Sequence, residues 1–161
     1  MNIIIIGAGP SGMMCAIKAK NGNNNVTIIE KNDKVGKKLL LTGSGRCNYA
    51  NEIINSDCYF TENSDLIENI INPREIDLMH RKLESIGIYP DIINGYYYPY
   101  SHNSASVNNL LFEKCKSLGI NFIFNEEVND IKKSSIGFKI NNKYECDKLV
   151  IACGGKSYPK T

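Results

Sequence analysis

The sequence predicts an α/β fold: a parallel sheet alternating with helices, with a small antiparallel meander set among them. Three observations predict it. The chain opens with an apolar run at 3–6, glycines at 7, 9 and 12, and an acidic residue, Glu30, eighteen positions after Gly12. Short strand-like segments surround an Asn141-Asn142 pair, a turn signal for an antiparallel hairpin. A second apolar run at 149–153 ends in Gly154-Gly155.

The opening is a dinucleotide-binding fingerprint in its full context. The continuous apolar run at 3–6 is the pattern of a strand covered on both faces. Gly7 allows the tight turn out of that strand, Gly9 lets the backbone approach a pyrophosphate, and Gly12 lets helix and strand pack closely. A helix from Pro10 to about Asn21 would then aim its N-terminal N–H groups and positive dipole end at the phosphates. A second strand at 26–29 delivers Glu30, whose carboxylate suits ribose hydroxyls. The plainer alternative is a glycine turn between an ordinary strand and helix. Strand, helix, second strand and acid in one register argue against it.

The segment 31–51 reads as a long, glycine-rich polar connection of the kind that carries function. Pro73 starts a helix with apolar positions Ile76, Met79, Leu83 and Ile86, stopped by Gly87. The tyrosines at 96–98 and Tyr100 suit either a strand or a pocket wall. A third helix spans 104–118 with Val107, Leu110, Leu111, Cys115 and Leu118 on its apolar face, and Gly119 ends it. Strands follow at 121–124, 128–132 and 136–140, with a partner near Tyr144, and the last is a buried strand at 149–153.

At 161 residues the chain can form one domain, burying about 70% of its unfolded surface. Its 42% hydrophobic and 22% charged content is that of a globular protein. The net charge of +2, with mixed signs, suggests no nucleic-acid partner, and no apolar run reaches the ~20 residues of a membrane span. The N-terminus reads as a core strand and not a signal peptide. The six cysteines form no C-x-x-C and fit no zinc spacing, so no metal site is expected. They read as reduced thiols of a cytoplasmic protein.

The second informative motif runs Lys37-Lys-Leu-Leu-Leu-Thr-Gly-Ser-Gly-Arg-Cys-Asn48. Gly43 and Gly45 permit close backbone approach to a ligand, while Arg46 and Asn48 offer polar groups for a flavin edge or a phosphate. A surface glycine loop with a solvated arginine is the alternative. Arginine is otherwise rare here, only Arg74 and Arg81 besides, which favours a role needing its planar donor set. Cys47 has no nearby cysteine in sequence and reads as structural rather than redox-active. His80 shares a face with Ile76 and Leu83 and reads as structural; His102 is the better candidate for proton transfer. Gly155-Lys156-Ser157 imitates the end of a P-loop, but Val150 stands where the first glycine belongs.

G-A-G-P-S-G, Glu30, K-L-L-L-T-G-S-G-R-C-N, Y-P-Y-S before the Ser104 helix, and I-A-C-G-G-K-S-Y-P-K-T occur in this order. Together they resemble the BaiN/YhiN-like (aminoacetone-oxidase-like) family of bacterial FAD-dependent oxidoreductases. The resemblance implies a Rossmann-like FAD/NAD(P)-binding domain whose β-meander replaces one crossover helix. It implies that Gly7, Gly9, Pro10, Ser11 and Gly12 hold the FAD pyrophosphate, Glu30 the adenosine ribose, and Lys31 the adenosine side. Lys38, Arg46, Cys47 and Asn48 would face the flavin. The Val128 backbone would contact adenine from a strand edge, and Ala152 and Gly154 would leave room beside the nucleotide. No catalytic residue is assigned.

Two departures stand out. Tyr96 occupies a position where family members usually carry arginine, and the chain stops at Thr161, well short of them. The expectation is therefore a truncated chain, 1–161, forming the N-terminal part of an FAD-binding domain. The inserted substrate domain and the C-terminal FAD-domain segment would be absent. Function is then the FAD-binding portion of a flavin-dependent oxidoreductase acting on an unidentified small molecule. The alternatives are an NAD-dependent half-domain and a catalytically silent fragment that self-associates or needs a complementing C-terminal chain. One G-x-G-x-x-G argues against a separate NAD(P)H domain, and Glu30 disfavours a 2′-phosphate.

Overall fold

The computed structural model describes residues 1–155, apart from the side chain of Ser64. In chain order the elements are β1 (Asn2–Ile6), α1 (Pro10–Ala19), β2 (Asn25–Ile29), β3 (Ala50–Asn51), α2 (Ser64–Ile70), α3 (Pro73–Glu84) and β4 (Pro90–Ile93). They continue with β5 (Tyr96–Pro99), α4 (Ser104–Ser117), β6 (Asn121–Ile123), β7 (Ile131–Lys133), β8 (Phe138–Ile140), β9 (Tyr144–Cys146) and β10 (Lys148–Ile151). The chain divides into two compact units, Met1–Leu41 with Leu111–Thr161, and Thr42–Leu110.

The first unit is built on a four-stranded parallel sheet in the order β10-β1-β2-β6. β1 lies between two partners, which is why Ile3, Ile4, Ile5 and Ile6 are all buried. Successive side chains point to opposite faces. On one face Ile4 and Ile29 form a core with Ile140 and Cys146 of the antiparallel meander β7-β8-β9, joined by Phe138, Tyr144 and Leu149. α1 packs against β1 and β2, burying Met13, Ala16 and Ile17. The result is the expected Rossmann-like layering, with a parallel sheet covered by a helix and by a meander.

Two expectations need correction. The strand expected at 128–132 begins only at Ile131. The Asn141 side chain takes the ladder's place: its Oδ1 accepts from the amides of Asn129 and Asp130, and its Nδ2 donates to the Glu127 carbonyl and to Glu126 Oε1. Asn141 and Asn142 both have positive φ (50° and 54°), so the expected hairpin turn is present, and it fixes that side chain's aim. The strand expected to be buried at 149–153 is β10, ending at Ile151. Its one partner among the described residues is β1, so it is an edge strand with Ile151 60% exposed.

The second unit holds the three-stranded antiparallel sheet β3-β5-β4. β4 and β5 form a hairpin through Asn94-Gly95, whose φ values of 51° and 81° suit a type I′ turn. α3 starts as expected at Pro73, capped by Asn72 Oδ1 on the Glu75 amide, and Ile86 beyond its end is buried. α2, short and capped by Asn63, has no counterpart in the sequence reading.

Replacing Asn141 with Ala removes four hydrogen bonds and leaves a residue with φ 50° that alanine adopts poorly. A loss of about 1–2 kcal/mol is expected, seen as a lower urea midpoint at unchanged slope.

Candidate functional site

The fingerprint loop turns on Gly7, which has φ 105° and donates its N–H to the Ile29 carbonyl at 2.8 Å. A Cβ on Gly7 would lie 2.5 Å from the Ala152 carbonyl oxygen, and one on Gly12 would collide with the Gly7 carbonyl oxygen. β1, α1 and the chain leaving β10 are therefore locked together by backbone contacts that admit no side chain. Gly9 differs, because nothing lies within 4 Å of where its Cβ would be. Gly9 is also the N-cap of α1 and provides no side-chain cap. Pro10 has no N–H, so the first-turn donors are those of Ser11 and Gly12 at the positive end of the helix dipole.

Glu30 closes the other side of this loop. It is 8% exposed, and its Oε2 accepts from the Ala8 amide at 2.7 Å. Its Oε1 accepts from the Asn32 amide at 2.9 Å and from Asn32 Nδ2 at 2.7 Å. Gly36 N–H donates to the Ala8 carbonyl, so the segment after Glu30 folds back along the fingerprint. Lys31 is exposed next to Glu30, and Lys38 Nζ donates to the Gly155 carbonyl at 2.8 Å. Ala152 donates its N–H to the Ile6 carbonyl, and Gly154 (φ 73°) has open space around its Cβ position. Val128 is half-buried, and its backbone N–H and C=O make no hydrogen bond among the described residues. The first unit thus contains Gly7, Gly9, Pro10, Ser11, Gly12, Glu30, Lys31, Lys38, Val128, Ala152 and Gly154.

Arg46, Cys47 and Asn48 belong to the second unit. Their loop is conformationally unusual: Gly43, Ser44, Gly45 and Cys47 all have positive φ, two of them without being glycine. Such backbone persists where surrounding structure over-determines it, as at ligand sites. The loop is tied by Arg46 N–H to the Gly43 carbonyl and Cys47 N–H to the Thr42 carbonyl. Asn48 Nδ2 donates to the carbonyls of Ala50 and Tyr97, so its donors hold the loop itself and its Oδ1 is the remaining acceptor. The Arg46 guanidinium lies over the Tyr98 ring, 4.7 Å from its centre. Cys47 is fully buried, and burial pushes its thiol pKa up against a smaller opposing hydrogen bond from Thr42. That favours the thiol over the thiolate and fits a structural cysteine.

His80 packs in an aromatic group, its ring 4.8 Å from that of Tyr97 and 6.2 Å from that of Tyr49. Burial, with Glu84 nearby, pushes the Tyr49 hydroxyl pKa up to about 12, so it stays protonated. His102 pairs through Nε2 with Asp91 Oδ2 at the open end of the β4–β5 hairpin. The sequence reading did not single out Asp91, nor Asn32, although Asn32 lies two residues from Glu30. It also missed a cleft of about 700 Å³ in the second unit, lined by Asn48, Ile54, Tyr59, Ile71, Ile76 and Met79 among others. Ile76 and Met79 share the helix face read in the sequence, but no periodicity links them to Asn48, Ile54, Tyr59 and Ile71. The G-G-K-S-Y-P-K-T motif and the P-loop imitation fall partly on residues 156–161, outside the described residues. Among the described residues no group of His, Cys, Asp and Glu could hold a metal, and no helix is long and apolar enough to cross a membrane.

The parallel sheet, fingerprint loop and buried acid define a Rossmann dinucleotide-binding domain. Comparison places it more narrowly: the family model described as HI0933-like protein Rossmann domain matches residues 1–161, and the chain belongs to that family. It is 34% identical over 158 residues to the 3-dehydro-bile acid delta(4,6)-reductase of Clostridium scindens, covering 95% of this chain and 39% of that protein. It is 29% identical to the ribosomal RNA dihydrouridine synthase of Escherichia coli, covering 97% of this chain and 40% of that protein. The chain thus spans about two fifths of these curated relatives. Among solved structures it resembles CtdE, determined in complex with FAD, with a TM-score of 0.54 at 22% identity over 99% of this chain and 40% of that one. That likeness is one of fold.

Two tests follow from this geometry. Gly12→Ala should lower stability by about 2–3 kcal/mol because backbone must move, whereas Gly9→Ala should cost about 1 kcal/mol or less yet impair nucleotide binding. Paired thermal melts and nucleotide titrations separate the two effects. In the folded chain, exposed Cys58 and Cys153 should be alkylated at neutral pH well before Cys47, as peptide mass mapping would report.

Proposed function

We propose that this chain is the FAD-binding portion of a flavin-dependent oxidoreductase. The observation that carries the reading is the contrast among the three fingerprint glycines. Gly7 and Gly12 are glycine because protein fills the space, while Gly9 faces open space at an uncapped helix N-terminus. That is the cradle a pyrophosphate occupies, with the Ser11 and Gly12 amides as donors. Glu30 accepts from the ribose and excludes a 2′-phosphate by like charge. The Val128 amide and carbonyl meet the adenine edge from a loop segment instead of a strand. Ala152 and Gly154 keep the exit of β10 narrow beside the nucleotide, and Lys31 lies on the adenosine side. Lys38, Arg46, Cys47 and Asn48 are assigned to the flavin side, with Asn48 Oδ1 and the Arg46 guanidinium as the polar groups and Cys47 as packing. Bound FAD would supply hydride or electron transfer, and the protein orients and tunes it.

Family membership and the antiparallel meander support FAD chemistry over the NAD-dependent alternative. The two relatives' names point to different substrates, a bile acid and ribosomal RNA; the mixed-sign charge of this chain favours a small molecule, bound largely by parts of the protein beyond this domain. The domain is the N-terminal part of the FAD-binding domain in a cytoplasmic protein. The exposed edge of β10 supports a need for a complementing chain, and in its absence self-association and weakened FAD affinity.

Adding FAD to the purified chain should give a flavin absorption band that co-elutes with protein in part, and Glu30→Gln should weaken binding about tenfold or more. The isolated chain should show no substrate-dependent flavin reduction. Absence of FAD binding by a folded chain, or a Glu30→Gln variant that binds as tightly as the wild type, would overturn the reading.

A further inference from the structure

Glu30 is immobilised by its surroundings, and one residue does most of it. A carboxylate has about four acceptor positions, two on each oxygen. Three are filled here: both on Oε1 by the amide and Nδ2 of Asn32, and one on Oε2 by the Ala8 amide. Asn32 is itself held from two directions. Its Oδ1 accepts from Lys37 Nζ at 2.9 Å, and its backbone carbonyl accepts from the Asn125 amide at 3.1 Å. The next residue in that turn, Glu126, donates its amide to the Glu30 carbonyl. The backbone at 30–32 is therefore anchored to the turn after β6 independently of any side chain.

We propose that Asn32, oriented by Lys37, is the positioning residue that fixes Glu30 so that its one remaining acceptor site, on Oε2, engages a single ribose hydroxyl of the adenine nucleotide. This rests on the assignment of Glu30 to the ribose made above and adds a specificity to it. Only one of the two ribose hydroxyls contributes strongly to binding, because the second has no acceptor left on Glu30. The side chain of Asn32 also supplies a neutral donor beside a buried carboxylate. An acid at 32 would place two carboxylates together in that pocket.

The experiment titrates ADP, 2′-deoxy-ADP and 3′-deoxy-ADP into the full chain by calorimetry, with thermal melts confirming that each variant is folded. In the wild type, removal of one hydroxyl should weaken binding about tenfold and removal of the other less than about twofold. Asn32→Ala should weaken ADP binding about tenfold and bring the two deoxy effects together. Asn32→Ser, which retains a side-chain donor, should recover most of the loss, and Asn32→Asp should bind more weakly than Asn32→Ala. A purely structural role would make the Asp and Ala variants alike and leave the hydroxyl preference intact.

Asn32→Ala binding like wild type while Glu30→Gln is impaired would overturn the positioning role alone. Glu30→Gln binding like wild type would overturn the ribose assignment itself. Should the wild type bind no ADP, hydrogen exchange at the Ala8 amide decides: faster exchange in Asn32→Ala supports the clamp, and unchanged exchange refutes it.

Discussion

The Gly7 carbonyl oxygen occupies the volume that any side chain at position 12 would need, and the Ala152 carbonyl oxygen does the same at position 7. Much of the first unit depends on this stack of three backbones. It brings the start of α1 against the ends of β1 and β10, and so directs the helix N-terminus past the ends of the parallel strands. Ligands of open α/β sheets bind outside those ends. With the flanking positions closed by protein, Gly9 is the point where the turn opens outward.

Glu30 is the second half of the same arrangement. A buried carboxylate is costly unless hydrogen-bonded, and here the Ala8 amide inside the fingerprint loop supplies one of its donors. The acid therefore stabilises the loop that it borders, and loop and acid are set in one geometry before any ligand arrives. The turn after β6 reinforces this through the Asn125 and Glu126 amides. The meander then packs Ile140 and Cys146 against Ile4 and Ile29, seating that turn on the sheet. In the second unit a different device appears. The 42–48 loop holds Ser44 and Cys47 at positive φ, a local cost of about 1–2 kcal/mol each that buried Cys47 and the Asn48 side-chain bonds offset.

What the sequence disclosed, and what it did not, follows from how local each signal is. β1, α1, β2 and the Asn141-Asn142 turn were legible because apolar period, glycine spacing and turn chemistry lie within a few residues of each other. α3 and α4 carried apolar faces and glycine stops. α2 was not legible, since a seven-residue helix has only Leu66, Ile67 and Ile70 as apolar positions, too few to establish a period. The β4–β5 hairpin had a clear Asn94-Gly95 signal that the neighbouring tyrosines obscured. The late start of β7 depends on Asn141 reaching back to 129 and 130, a contact no local pattern shows. The exposure of Ile151 depends on strand order, which apolarity alone does not give. In the site, glycines and Glu30 were readable from spacing, whereas Asn32 acts through a side chain whose aim is set by the turn after β6.

The central claim is that the fingerprint loop and Glu30 form one nucleotide site in the first unit. Its most direct test is an amide NMR spectrum of the isotopically labelled chain, recorded as ADP is added. The account predicts saturable shifts concentrated at Ala8, Gly9, Ser11, Gly12, Glu30 and the Val128 segment. Shifts confined to the second unit, or a spectrum unchanged at saturating nucleotide in a folded chain, would contradict it.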